Sequence, residues 1–278
     1  MEVGGSDSDG REFKNAEEMW REEFGEGDHQ KTEWYRKGVG YWEGVDASVD
    51  GVLGGYGHVN DADIKASEAF LRTLLSDRLA ADVASTRHLV ALDCGSGIGR
   101  VTKNLLLRYF NEVDLEEPVS HFLEAARESL CPENGTVSDN HKAVNFYCVP
   151  LQEFTPEAGR YDVIWVQWCI GQLADDDFIS FFKRAKVGLK PNGFFVLKEN
   201  IAKSGFVLDK EDKSVTRSDL YFKELFKRCG LYLFKSKDQK GFPAELFQVK
   251  MYALTTDIPR RVHCTKAKML SNLPGLIK

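Results

Sequence analysis

LDCGSGIGR, Leu92–Arg100, is the stretch on which the fold turns. LVALD (Leu89–Asp93) leads into it as a short apolar run, the mark of a buried strand. Gly99–Phe110 follows with helical character. A buried strand that turns through glycines into a helix is where α/β proteins hold an adenosine-bearing cofactor, because glycine lets the backbone approach a ligand closely. A glycine turn that only packs is the plain alternative. The spacing here is G-x-G-x-G, not the G-x-G-x-x-G that offers a helix N-terminus to a pyrophosphate. That favours S-adenosylmethionine (SAM), which has no pyrophosphate, over a dinucleotide. Asp93 and Arg100 flank the glycines and suit an amino-acid moiety, the acid facing an ammonium and the guanidinium a carboxylate.

Outward from this loop the pattern repeats. NEVDLEE (Asn111–Glu117) is a strand whose last residue, Glu117, can take both hydroxyls of a ribose, and Pro118 opens a helix running to about Leu130. VNFYCV (Val144–Val149) is a third strand, and Leu151-Gln152 follow it, where adenine is flanked. YDVIWVQW (Tyr161–Trp168) is a longer buried strand with Gln167 near its end, beside the expected sulfonium. A helix over Asp175–Leu189, a strand GFFVLKEN (Gly193–Asn200) and a helix over Thr216–Cys229 come next. LYLFKSK (Leu231–Lys237) and LFQVKMYAL (Leu246–Leu254) close the chain as a hairpin without a helix between them. Alternating strands and helices predict an α/β fold with a sheet covered on both faces. Seven strands with this ending are the layout of class I SAM methyltransferases: a Rossmann-like sheet whose last strand is antiparallel.

A second glycine loop, GVLGGYGHV (Gly51–Val59), precedes every convincing strand. The aromatic segment Glu33–Ser48 stands before it. Asp61–Ala81 follows as a helix that starts with aspartate caps and carries Ile64, Phe70, Leu71, Leu74, Leu75 and Leu79 at helical spacing. The expected organisation is an acidic, mobile tail over 1–33, one catalytic domain over 34–256 and a basic tail over 257–278. Within that domain, 34–82 form a substrate lid and helix on a core over 88–256.

Composition narrows the function. At 278 residues and 42% hydrophobic the chain can bury a large core, and a formal net charge of −6 argues against a general nucleic-acid binder. Six cysteines lie far apart and six histidines form no ligand-spaced cluster, so no metal site is expected. No apolar run reaches the ~18 residues of a membrane span. The acidic, polar N-terminus does not read as a secretory signal, and cytosol or nucleus is the expected compartment.

DGVLGGYGH (Asp50–His58), LDCGSGIGR, LQEFTP (Leu151–Pro156), YDVIWVQWCIG (Tyr161–Gly171), LKPNG (Leu189–Gly193) and KENIAKSGFVLDKEDKSVTR (Lys198–Arg217) together resemble the protein α-N-terminal methyltransferases. The resemblance runs from about Tyr41 to Leu254. It implies a SAM-dependent enzyme that methylates the free α-amine of proteins beginning X-Pro-Lys, with X alanine, serine or proline, and leaves one to three methyl groups. Substrates of ribosomal or chromatin-associated type, and a monomer, go with that reading. At matching positions Gly95, Gly97, Arg100, Glu117, Pro118, Val119, Leu151, Gln152 and Gln167 would hold SAM. Trp42, Leu53, Gly54 and Trp168 would contact the peptide, and Asn200 its first carbonyl. Asp209 and Ser214 would take the lysine, with Asp212 near the reacting amine. GVLGGYGHV would then be a substrate loop rather than a hinge.

Three positions depart from the family pattern: Glu117 for an aspartate, Gln172 for a histidine near the amine, and Phe247 for a tyrosine. Gln172 cannot titrate, which leaves Asp212 as the base. Two other readings are a SAM enzyme for a small amine or acid, and a silent scaffold on the same fold.

Overall fold

The computed structural model describes residues 3–25, 28–80, 87–131 and 140–258. The basic residues Arg260, Arg261, Lys266, Lys268 and Lys278 of the expected C-terminal tail lie outside them.

A seven-stranded sheet forms the centre. Its strands are β3 (Val90–Cys94), β4 (Glu112–Glu116), β5 (Lys142–Tyr147), β6 (Tyr161–Gln167), β7 (Leu189–Ile201), β10 (Tyr232–Asp238) and β11 (Gln248–Thr255). Their order across the sheet is β10-β11-β7-β6-β3-β4-β5. β3, β4, β5, β6 and β7 run parallel, and β11 enters antiparallel between β7 and β10. Every residue of β3 and β6 is buried, in keeping with the continuous apolar runs of strands covered on both faces.

One face is packed by α4 (Asn60–Arg78), α5 (Arg100–Asn104) and α6 (Ser120–Leu130), whose Phe70, Leu71, Leu74, Val101 and Leu123 join Trp165 and Val163 of the sheet. The other carries α7 (Asp175–Ala185) and α8 (Asp219–Cys229), with Phe178, Phe181, Phe182, Phe222 and Phe226 buried against Ile164, Phe195 and Tyr252. Each such phenylalanine contributes about 1.5–3 kcal/mol by leaving water. Ser218 caps α8 by accepting from the Tyr221 N–H, and Gly230 ends it in the left-handed conformation.

The N-terminal region differs from expectation. Residues 3–24 are not a solvated tail: β1 (Gly5–Asp7) and β2 (Glu12–Phe13) pair with each other, and α1 (Ala16–Phe24) buries Met19. With β8 (Phe206–Asp209) and β9 (Ser214–Arg217) they make a second sheet, ordered β2-β1-β8-β9. Thr216 and Arg217, expected to open a helix, instead end β9, and the helix starts at Asp219. Strands of three or four residues carry too little periodicity to be seen, and β1 meets its partner about two hundred residues away. α2 (Asp28–Glu43) gathers the aromatic segment into one helix across the expected boundary at 33/34, and α3 (Val49–Val52) begins the second glycine loop.

Candidate active site

The loop after β3 holds three left-handed glycines at alternate positions, Gly95 (φ 61°), Gly97 (φ 53°) and Gly99 (φ 71°). Gly95 is pressed against the start of the loop after β6: a Cβ there would lie 2.2 Å from the Cys169 Cβ. Its N–H donates to Glu116 Oε2 at 3.0 Å, and the Gly97 N–H donates to Glu117 Oε2 at 2.8 Å. The other Glu117 oxygen accepts from the Val119 N–H at 2.9 Å. Burial pushes the Glu117 carboxyl up to about 7, against the pull of those two backbone donors. Burial likewise raises Glu116, helped by the neighbouring Glu117, and lifts Asp93 to about 6 even though the Thr102 hydroxyl donates to it at 2.7 Å.

All nine residues singled out for the cofactor line one cavity, and Trp34, Gly38 and Trp42 of α2 cover it. Two of them behave differently from expectation. The Gln167 side chain is engaged elsewhere: it accepts from Trp165 Nε1 at 3.0 Å and donates to Asp63 at 3.1 Å. Arg100 Nη1 is held at 2.7 Å by Asp63 Oδ2. Asp63 has the sequence position of a helix cap, but it is wholly buried and also pairs with Lys198. Burial alone would raise its carboxyl, yet Lys198 and Arg100 hold it below the usual range. This cluster of two cations and one anion carries a net positive charge beside the cavity.

The fit to SAM rests on these features. Backbone N–H groups and side-chain carboxyls ring a cleft from which side chains are excluded at Gly95. Ser96 Oγ and Glu116 Oε1 are buried there without a hydrogen-bond partner among the described residues. Glu117, directly after β4, and Arg100, at the start of α5, both line this cleft.

A second cavity adjoins the first through Trp42, Val52, Trp168 and Gln172, which line both. Leu53, Gly54, Asn200, Asp212 and Ser214 line it as well. Asp209 does not; its Oδ1 accepts the Glu211 N–H at 2.8 Å and so shapes the turn between β8 and β9. Trp168 has a left-handed backbone, φ 54°, rare for a bulky residue. Its ring lies 5.7 Å from the Arg100 guanidinium and 5.9 Å from the Lys198 ammonium. Trp168 Nε1 and Asp212 Oδ1 are both buried with no hydrogen-bond partner among the described residues. Burial pushes the Asp212 carboxyl up to about 6, against the Ser214 hydroxyl and with the help of Asp209. Burial also raises the Tyr41 hydroxyl, and Glu211, Asp212 and Asp209 add to it. The backbone of Gln172 is fixed from behind, its main-chain carbonyl accepting from Trp34 Nε1 at 2.8 Å.

Sequence reasoning missed Glu199, which lines the second cavity and is lifted by burial to about 7 while it accepts the Ile170 N–H. Its place beside Asn200 at the end of β7 was the available signal.

Residues 30–255 match the profile of the AdoMet-dependent proline di-methyltransferases. This chain belongs to that family. It is 69% identical over the whole of both chains to "Alpha N-terminal protein methyltransferase 1" of Arabidopsis thaliana. It is 41% identical over 224 residues, 81% of this chain and 96% of the other, to "N-terminal Xaa-Pro-Lys N-methyltransferase 1-B" of Xenopus laevis. Among solved structures, a SAM-dependent methyltransferase of Leishmania major superposes with a TM-score of 0.80 at 38% identity, covering 92% of this chain and 97% of that one. The protein is therefore an enzyme, a class I SAM-dependent methyltransferase, and the first cavity has the fit for its cofactor.

Proposed function

We propose that the enzyme methylates the free α-amine of polypeptides that begin X-Pro-Lys, acting as a monomer in cytosol or nucleus. One observation carries this reading: Trp168 and Asp212, whose Nε1 donor and Oδ1 acceptor are buried without partners among the described residues, both line a cavity that meets the cofactor site. Unsatisfied buried polar groups of this kind await a ligand that supplies both an acceptor and a donor. The end of a polypeptide does so, with its carbonyls and its amine. The names of the relatives from Arabidopsis and Xenopus agree with that choice.

Bound SAM supplies an electrophilic methyl group on sulfur. The nucleophile must be a neutral amine, and a terminal α-amine has a pKa of about 7.7–8.0. Desolvation in the cavity lowers that value further, because burial disfavours the charged form. Asp212, lifted to about 6 by burial, is mostly ionised at neutral pH and remains basic enough to take the proton directly or through water. Gln172, at the shared wall, orients without titrating. The second-position proline has no N–H, so Leu53, Val249 and Trp168 can face it without orphaning a donor. The acidic turn of Asp209, Glu211 and Asp212 favours a cation at position three.

Mass spectrometry of an Ala-Pro-Lys peptide incubated with enzyme and SAM tests this. Methyl groups are expected on the α-amine, and an Ala-Pro-Glu peptide should be turned over far more slowly, since like charges would meet in the cleft. Equal kcat/KM for both, or transfer only to small amines, would overturn the reading.

A further inference from the structure

The match to the family begins at residue 30, yet β1, β2 and α1 precede it, and β1 and β2 share a sheet with β8 and β9. β1 adds in parallel to β8, Ser6 opposite Val207 and Asp7 opposite Leu208, and the Ser8 N–H donates to the Leu208 carbonyl at 2.8 Å. Glycine permits the approach. A Cβ on Gly5 would fall 2.5 Å from the Phe206 carbonyl oxygen, and one on Gly205 would fall 1.7 Å from that of Gly4.

Ion pairs extend the contact to the turn that carries Asp212. Asp7 is buried; its Oδ1 accepts the N–H groups of Asp9 and Arg11, while Oδ2 stands 2.7 Å from Lys210 Nζ. Asp9 Oδ2 meets the same ammonium at 2.8 Å. At the other end of the turn, Lys213 lies 3.6 Å from Glu23 of α1 and 5.5 Å over the Trp34 ring. Lys213 also takes a left-handed backbone, φ 58°. The turn reads D-K-E-D-K over 209–213. Its three acids repel one another, and its two lysines are the residues tied to the N-terminal segment.

We propose that residues 4–24 are a positioning element that holds the β8–β9 turn by Asp7 and Asp9 on Lys210 and by Glu23 on Lys213, and so aims Asp212 into the second cavity. Exposed ion pairs contribute little singly. Here the buried Asp7 and the strand pairing act together with them. Asp7, Asp9 and Glu23 are positioning residues, acting through the lysines rather than on substrate.

The proposal rests on the X-Pro-Lys reading for its kinetic arm, and amide hydrogen exchange across residues 206–217 tests it without substrate. The full chain is compared with Gly5→Val, which wedges β1 off β8 without changing charge, with Lys210→Met and with Lys210→Arg. SAM affinity by calorimetry serves as the control for folding. Gly5→Val and Lys210→Met should bind SAM as the parent does, exchange faster over 206–217, and lose about 10²-fold in kcat/KM for the Ala-Pro-Lys peptide. Lys210→Arg should restore both. Removing a cation beside the acidic turn would on charge alone favour a lysine-bearing peptide, so a loss in Lys210→Met reports position. Parental exchange and kcat/KM in both variants would overturn the proposal. A parent chain that leaves the peptide unmethylated strikes the functional reading instead, and the exchange data still decide this one. Should Gly5→Val fail to bind SAM, exchange and kcat/KM in Lys210→Met decide between the two outcomes.

Discussion

Asp212 concentrates the chemistry at the scale of single residues. Its carboxyl sits at about 6 because burial disfavours its charge. The rate with peptide should therefore climb as pH rises through about 6, when Asp212 ionises, and again toward the pKa of the substrate amine, about 7.7–8.0. Asp212→Asn keeps the size and erases the lower limb. Its kcat should fall about 10²-fold with SAM affinity unchanged, and recover in part at high pH, where solvent supplies the neutral amine. A pH–rate profile that overlays the parent in height and shape would show that Asp212 is not the base. Glu117 gives a second test. Its carboxyl, at about 7, gains hydroxyl donors when ribose binds, which favours the ionised form. SAM should therefore bind more tightly as pH rises through about 7, with release of a proton. Calorimetry in buffers of different ionisation heat measures that proton, and Glu117→Gln should abolish it.

Among the elements, the loop from β3 to α5 tolerates the least change. Gly95→Val drives a side chain into Cys169, 2.2 Å from its Cβ, and demands φ 61° from a β-branched residue. SAM binding should vanish in a titration while circular dichroism stays close to the parent's. Unchanged affinity would remove this loop from the cofactor site. The same loop explains what was legible beforehand. β3 and β6 announced themselves as apolar runs, and ligands gather beyond the carboxyl ends of such strands, so Arg100, Glu117, Leu151, Gln152 and Gln167 could be named from position, while the family resemblance added Gly97, Pro118 and Val119. The second sheet could not be read this way. GSD, FVLD and SVTR are short, and their pairing joins residues 5–7 to 206–209, which no local pattern reports. Asp7 shows the limit of composition: in an acid-rich stretch it reads as a solvated charge, yet it is buried beside Lys210. Asp63 misleads similarly. A helix-start aspartate is normally a cap, and only the fold brings Lys198 and Arg100 to it.

For the molecule as a whole, these buried acids couple stability to pH. Asp93, Glu117 and Glu199 have carboxyls raised to about 6, 7 and 7 in the folded chain. The unfolded chain returns them to about 4. A raised carboxyl favours the folded state fully below the unfolded value, and that advantage is lost as pH rises through the folded one. The ligand-free enzyme should therefore lose Tm between about pH 4 and 7, and saturating SAM should offset the loss most at the alkaline end. Scanning calorimetry across that range checks it; a Tm that rises with pH would contradict it. Trp168 extends the tension between fold and chemistry to the laboratory. A left-handed backbone costs an ordinary residue about 1–2 kcal/mol, and glycine or asparagine would relax it. Directed evolution that rewards heat resistance alone is therefore expected to replace this tryptophan, and to return sturdier proteins that no longer turn over.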